Sequence, residues 1–384
     1  RTDYPDAREE YVRAAALFRQ ADGDLSQDAI VVELQRAAME ARSYETGTLP
    51  RAKSTLTEQE ALIAKLPRPR PDVTVWDASA RGMVALISND AKAAAENFRN
   101  AVDQADRLPE FDRGDRLAFK QRLAFTYVRL GDGAQAEYLF RQLIPAYTAI
   151  AGANSPNVLR VRLNLAQAYM IEHKNVEAVR EATAIYPEFV SRLGADHELT
   201  MQVLTTRAES EGSMGDWNDT VRDDMTVYKL AVQKHGPRSF YAVATLSDAA
   251  TAQCRAGHFA EGAANAQRAY EASLKGFGPG SGLAGGTAFA EANCLIPLGK
   301  LQEATALLGQ VNVPVVAQLA GDPELGAEVA FAKAQIAYRG GNYGAAKSQL
   351  EQVAPAFARS DIEPYEKQQF DSLQASLDKS PAGK

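Results

Sequence analysis

LGADHELT (193–200) sets His197 between Asp196 and Glu198, an imidazole flanked by two carboxylates. Such a group could shuttle a proton or hold a divalent metal, because imidazole titrates near neutral pH and both residue types ligate zinc. The other histidines do not join it. His173, His235 and His258 fall in turns or at joints, never two on one helix face. Cys254 and Cys294 lack metal-ligand spacing, and two cysteines in 384 residues are not a disulfide framework. GFGPGSGLAGG (276–286) is glycine-dense but follows a helical pattern rather than a strand, so a phosphate-cradling role fails on context. It reads instead as a loose or widened joint. LPRPRPDV (66–73) contains a PxxP-like run that an SH3 domain could take, or a stiff connection between helices; the connection is the plainer reading. Arg113-Gly114-Asp115 spells an adhesion tripeptide, yet Asp115 reads as a helix cap. No catalytic residue, metal site or cofactor is expected, and the chain does not read as an enzyme.

Composition narrows the class further. Hydrophobic residues make up 46% and charged residues 24%, enough apolar material for a packed core. A net charge of −7 argues against binding nucleic acid or an anionic membrane, which requires a basic face. No run of 18 apolar residues is present, so no membrane insertion by this chain is expected. Arg1 in place of an initiator Met, with no recognisable signal peptide, reads as the start of a fragment or a processed chain.

The elements that position these residues repeat. Short polar or glycine turns fall at Gly47, Asn89, Gly131, His173, Gly215, Gly257, Gly299 and Gly341, each 42 residues after the last. Seven residues before the turn stand Gly82, Ala124, Ala166, Ala208, Ala250, Ala292 and Ala334. Five after it stand Ala52, Ala94, Ala136, Ala178, Thr220, Gly262, Ala304 and Ala346. Small residues in both columns let two helices approach closely. Nine after the turn come Phe98, Phe140, Leu308 and Leu350. Twelve after it come Ala101, Leu143, Ile185, Val227, Ala269, Val311 and Val353. Offsets of 5, 9 and 12 trace one face of an α-helix. Each unit is therefore a first helix, a tight turn and a second helix, and stacked neighbours bury what one hairpin leaves exposed.

Other positions keep the same register. Gly152, Gly194, Gly236 and Gly278 each stand 21 residues after a turn, where a left-handed backbone ends the second helix. Ser155-Pro156, Ser239, Ser281 and, one repeat on, Asp322-Pro323 then read as starters of the next helix. His197 shares the column of Ser155, Ser239 and Ser281, so it is expected to cap a helix rather than to catalyse. Pro145, Pro187 and Pro355 recur 14 residues after their turns, where a bend in the second helix is expected. Cys254 and Cys294 lie on first helices of neighbouring repeats. Buried free thiols are the expected state and a disulfide the alternative.

These columns resemble the tetratricopeptide repeat in Ala124, Tyr127, Gly131-Asp132, Ala136 and Phe140, and in the repeats turning at Asn89 and Gly341. The match loosens at His173 and at Gly215, where Glu211 and Thr220 depart from the pattern. The 42-residue unit looks like the long-helix variety of kinesin light chains and bacterial signalling proteins. The resemblance spans roughly residues 27–357. It implies an all-α, right-handed superhelical solenoid of helical hairpins, about eight repeats, with terminal caps. The expected organisation is an N-terminal capping helix in 1–25, the repeat array in 26–360, and a capping helix with a frayed tail in 361–384.

The resemblance also places a concave groove on the first helices, at 13, 10, 6, 3 and 2 residues before each turn. It selects Gln121, Phe125 and Arg129; Arg160, Gln167 and Met170; Gln202, Thr205 and Glu209; Ser247, Thr251 and Arg255; Phe289 and Asn293; and Phe331, Gln335, Tyr338 and Arg339. Amide, aromatic and arginine side chains suit an extended peptide or a helix, although the same residues could be only a solvated face. The expected function is a non-catalytic protein- or peptide-binding module. By resemblance it would be the sensor part of a larger bacterial signalling or transcription-regulatory protein, on the periplasmic side of the inner membrane rather than in the cytoplasm. The alternative is a scaffold that self-associates without a groove ligand.

Overall fold

A computed structural model describes residues 4–43, 47–321, 324–359 and 364–380. Asp322-Pro323, residues 361–363 and residues 381–384 of the expected tail lie outside the described residues. The described residues form helices and turns, without a strand. The chain divides into two compact units, residues 1–174 and 175–384. Unit 1 contains α1 (Tyr4–Asp22), α2 (Gln27–Ala41), α3 (Thr48–Ile63), α4 (Pro71–Ile87), α5 (Ala91–Asp106), α6 (Arg113–Leu130), α7 (Gly133–Ala151) and α8 (Pro156–Ile171). Unit 2 contains α9 (Asn175–Leu193), α10 (Glu198–Ser213), α11 (Trp217–His235), α12 (Phe240–Arg255), α13 (Phe259–Phe277), α14 (Gly282–Leu295), α15 (Leu301–Leu308), α16 (Val313–Ala320), α17 (Leu325–Arg339), α18 (Tyr343–Phe357) and α19 (Pro364–Asp378).

The turn residues explain the hairpins. The six turn glycines take φ between 75° and 87°, and Asn89 and His173 take 63° and 55°. A left-handed residue reverses the chain and frees the next N–H to bond five residues back. That bond recurs at seven turns, from Asp90 to Ala85 through Asn342 to Ala337, at 2.8–3.2 Å. At three of these turns Asp90, Asp132 and Asn342 then cap the second helix by accepting the N–H three residues on. At the joints Ser155, Ser239 and Ser281 do the same. His197 Nδ1 accepts the Leu199 N–H at 3.2 Å, so the imidazole is a helix cap. One expected cap is displaced: Asp112, not Asp115, heads α6, because its carboxylate takes the Asp115 N–H at 2.9 Å. LPRPRPDV is a joint tied to α2, with Gln27 bonded to the Arg70 backbone at 2.6 Å and Arg70 bridging Asp28 and Asp72.

The small-residue columns lie where helices touch. The six alanines before the turns and the six after them are at most 1% exposed. A Cβ on Gly82 would stand 2.8 Å from the Phe98 ring, and one on Gly262 would stand 2.3 Å from Cys254 Sγ. In unit 1 a second device ties successive hairpins. Arg99 and Arg141 donate to the hydroxyls of Tyr127 and Tyr169 at 2.8 and 3.1 Å, each guanidinium lying over the ring that it bonds.

Two features depart from expectation. In the seventh repeat the register calls for one long second helix with Val311 buried. It breaks instead into α15 and α16, and Val311 is only half-buried. Prolines alone do not cause this, since α7, α9 and α18 run on through Pro145, Pro187 and Pro355. Here Gly309 ends one helix, and Asn312 and Pro314 suit the start of another. Second, Cys254 and Cys294 are not free thiols. They form a disulfide joining α12 to α14 with Cα atoms 5.5 Å apart. Their offsets turn the two side chains toward each other once the helices lie side by side.

Two stability outcomes follow from these contacts. His173→Gly should stabilise unit 1 by about 1 kcal/mol in urea unfolding, because a side chain at positive φ is strained. Reducing the disulfide removes the constraint on a 40-residue loop and should destabilise unit 2 by roughly 2–4 kcal/mol, read as a lower midpoint in dithiothreitol, a shift absent in Cys254→Ser/Cys294→Ser.

Candidate functional site

α12, α14 and α17 are first helices of three successive hairpins in unit 2. Residues recurring every three or four positions share one helix face. On that face Ser247, Thr251 and Arg255, then Phe289 and Asn293, then Phe331, Gln335 and Arg339 line one chamber of about 460 Å³. That is within the range of small-ligand sites, about 300–1,000 Å³.

The remaining walls come from segments that leave the repeat plan. α16, set free by the break after Leu308, brings Val316, Leu319 and Ala320. α19 brings Tyr365, Glu366 and Gln369. The glycine-dense stretch is what lets α16 approach. A Cβ on Gly285 would lie 2.5 Å from Val316 Cγ2, and one on Gly282 would lie 3.0 Å from Leu319 Cδ2. It is therefore a close-packing face and not the widened joint that its composition suggests: Gly278 keeps φ 84°, and Ser281 caps α14 as at the other joints. Phe240 and Leu319 are 48% and 49% exposed, so the chamber's open side is apolar.

Charge is distributed unevenly. The Arg255 guanidinium lies 5.0 Å from the Trp217 ring and 5.2 Å from the Tyr365 ring, and it bonds Glu366 at 2.9 Å. Burial pushes the Tyr365 hydroxyl up against the opposing pull of Arg255. Asp248 also lines the chamber. Solvent reaches it through the groove, but protein surrounds it, and this crowding with the nearby Glu209 pushes its carboxyl up to about 7. Asp224, beneath it on α11, is pushed up to about 9 by burial and then by Asp248 and Glu209. Alongside, Arg207 holds Asp223 at 2.5 and 2.9 Å. Glu211 rises to about 7 because burial and Asp223 outweigh Arg207 and Arg222. Among the described residues no three His, Cys, Asp or Glu side chains are placed to hold a metal ion.

Of the residues singled out in the sequence, the structure brings Ser247, Thr251, Arg255, Phe289, Asn293, Phe331, Gln335 and Arg339 into the chamber wall. Tyr338 turns away to pack on Tyr343, with centroids 5.6 Å apart. Gln202, Thr205 and Glu209 lie on α10 of the same unit, outside the chamber lining, Gln202 and Glu209 exposed and Thr205 half-buried. The other six belong to unit 1. There Gln121 accepts the Tyr147 hydroxyl at 3.1 Å and Arg129 donates to Asn89 at 2.9 Å. Phe125, Gln167 and Met170 are half-buried and Arg160 is exposed. Asp248, Tyr365, Glu366, Val316 and Leu319 carried no periodic signal. Only the isolated Asp248, nine residues before its turn, was visible as an acid on a groove helix.

No protein-family model and no curated protein matches the chain. Solved structures do match it. The apo form of the quorum sensor NprR from B. thuringiensis superposes with a TM-score of 0.66 at 12% identity, over 92% of this chain and 98% of that one. A Rap protein complexed with Competence and Sporulation Factor gives 0.57 at 12% identity, over 97% and 100%. PH0952 from Pyrococcus horikoshii, a signal-transduction ATPase with a tetratricopeptide repeat sensor, gives 0.57 at 13% identity, over 97% of this chain and 55% of that one. The fold is that of a tetratricopeptide-repeat solenoid. Identities this low establish the solenoid's architecture and leave its chemistry to its own residues.

The raised carboxyls give the solenoid a definite pH response. An unfolded carboxyl ionises near pH 4. Asp224 keeps its proton to about 9 when folded, so its contribution is fully present below about pH 4 and is lost as pH rises through that window. Asp224→Asn, which mimics the protonated form, should raise the melting temperature of unit 2 at pH 8 and flatten its decline between pH 5 and 8. An unchanged pH profile would remove this role for Asp224.

Proposed function

We propose that the chain is a non-catalytic sensor or interaction module that holds a short peptide in the unit 2 chamber. The chamber carries the reading: apolar walls hold side chains, while Asn293, Gln335, Ser247 and Thr251 offer donors and acceptors for peptide backbone. Three of the similar structures are described as a quorum sensor, a complex with Competence and Sporulation Factor and a protein with a tetratricopeptide repeat sensor. Those descriptions support a sensing role within a larger regulatory protein. The disulfide between Cys254 and Cys294 supports an oxidising compartment, in keeping with the outer side of a bacterial inner membrane. Among the described residues no helix is long and apolar enough to cross a membrane.

Gly286 supplies the test. It lines the chamber, and a Cβ there meets only Val316 Cγ1 at 3.7 Å, an ordinary contact. Gly286→Leu should fill the chamber and keep the helix, since leucine favours helix over glycine by about 1 kcal/mol. In affinity selection from an equimolar hexapeptide library read by mass spectrometry, the native chain should retain a defined subset and Gly286→Leu none, with the melting temperature kept. Retention of the same peptides by the variant would remove the chamber as the site and favour a self-associating scaffold.

A further inference from the structure

The open side of the chamber continues onto the surface of unit 2. Phe240, which lines the chamber, packs edge-on against Phe277 with ring centroids 6.2 Å apart. On the other side of the same joint, a Cβ on Gly282 would stand 3.0 Å from Leu319 Cδ2, so α16 closes over the start of α14. Phe277 is 41% exposed, nearly as open as Phe240 and Leu319. The register explains why these side chains share an edge. Phe277 and Leu319 each stand 20 residues after a turn, at Gly257 and Gly299, and so reach the joint end of successive repeats. Exposed apolar patches rimmed by polar residues mark interaction sites.

Charge on this ledge has one sign. The segments that build it, 232–247, 272–290 and 310–321, contain Lys234, Arg238 and Lys275 and no acidic residue. The chain as a whole carries a net charge of −7, so the positive edge is a local feature. A Cβ on Gly276 would stand 2.9 Å from the Arg238 carbonyl oxygen, which sets that joint against the end of α13, between Lys275 and Phe277. Arg238 is exposed and makes no hydrogen bond or ion pair among the described residues. Lys234 donates to the Asp196 carbonyl at 2.9 Å, a contact that leaves its charge uncompensated. Lys275 lies 3.9 Å from Glu271, and both side chains are more than half exposed, so water screens the pair.

We propose that this ledge is the outer half of the peptide site and that it selects an acidic peptide. Apolar residues of the peptide enter the chamber, and one or more carboxylates follow over the Phe240–Phe277 pair onto Lys234, Arg238 and Lys275. The occupant is chosen by continuity and by charge. Phe240 and Leu319 belong to both chamber and ledge, so a peptide leaving by the open side passes over it. The guanidinium of Arg238 has donors to spare for a carboxylate, which it can bind in bidentate fashion. An anionic membrane is the poorer fit, because three basic side chains fall short of the about four to eight that such attachment uses. The inference rests on the peptide-binding reading above and adds its selectivity.

Selection from the equimolar hexapeptide library, repeated with altered chains, tests it. Peptides retained by the native chain should combine apolar residues with Asp or Glu, favoured over Lys and Arg by about tenfold. The preference should shrink when salt is raised to about 0.5 M, since the ledge is exposed. Arg238→Gln should weaken the retained acidic peptides by up to about fivefold. Arg238→Glu/Lys275→Glu should turn the preference toward Lys and Arg, with the melting temperature kept because both positions are at the surface. A retained set that is neutral or basic, or an acidic preference that survives the double reversal, overturns the inference. In those cases loss of all binding in Gly286→Leu still leaves the chamber as the peptide site. If the native chain retains no peptide, both readings fall. Sedimentation with phosphatidylglycerol-containing vesicles covers the lipid outcome. Vesicle binding lost in Arg238→Glu/Lys275→Glu, with no acidic preference among peptides, assigns the ledge to a membrane and overturns the acidic peptide.

Discussion

A left-handed residue every 42 positions is the constraint on which the structure depends. It costs an ordinary side chain strain, so glycine holds most of these places, and it redirects the next N–H to bond five residues back. Each helix is thereby stopped at a fixed length and its successor started at a fixed angle. The alanine columns then make contact without adjustment, because their spacing from the turn is constant. Asn89 and His173 show that the backbone conformation is the requirement and glycine only its cheapest solution.

The chamber arises where that regularity lapses. α15 stops early and α16 swings against the glycine face of α14, while α19 approaches α12 from the C-terminal end. The disulfide fixes α12 to α14 in the same wall. A repeat array with uniform second helices would present an open surface here; the broken one makes a chamber open on one side. Function is argued from this irregular part, since the regular part specifies architecture shared with proteins of about 12% identity.

Electrostatics in unit 2 separates two kinds of acid. Asp223 is stabilised by Arg207 at hydrogen-bond distance, as expected of a buried ion pair. Asp224, its neighbour in sequence, faces other carboxyls and holds its proton. Adjacent residues on a helix point about 100° apart, so one lands beside an arginine and the other beneath the groove.

The hairpins, caps and packing columns were legible in the residues themselves, including the capping role of His197. Left-handed turns, caps and same-face spacing are local consequences of backbone geometry within a few residues, so one sequence suffices to read them. The residues of α12, α14 and α17 that line the chamber share that register, while Tyr338, in the same register, packs on Tyr343 instead. What the sequence did not disclose was the pairing of Cys254 with Cys294, the displacement of α16, the seat of Tyr365 and Glu366 on Arg255, and the crowding of Glu209, Asp224 and Asp248. Arg255 and Glu366 lie 111 residues apart, and no periodic rule links them. Such contacts, and the pKa shifts that burial creates, exist only once distant helices have stacked, and so the tertiary structure alone decided them.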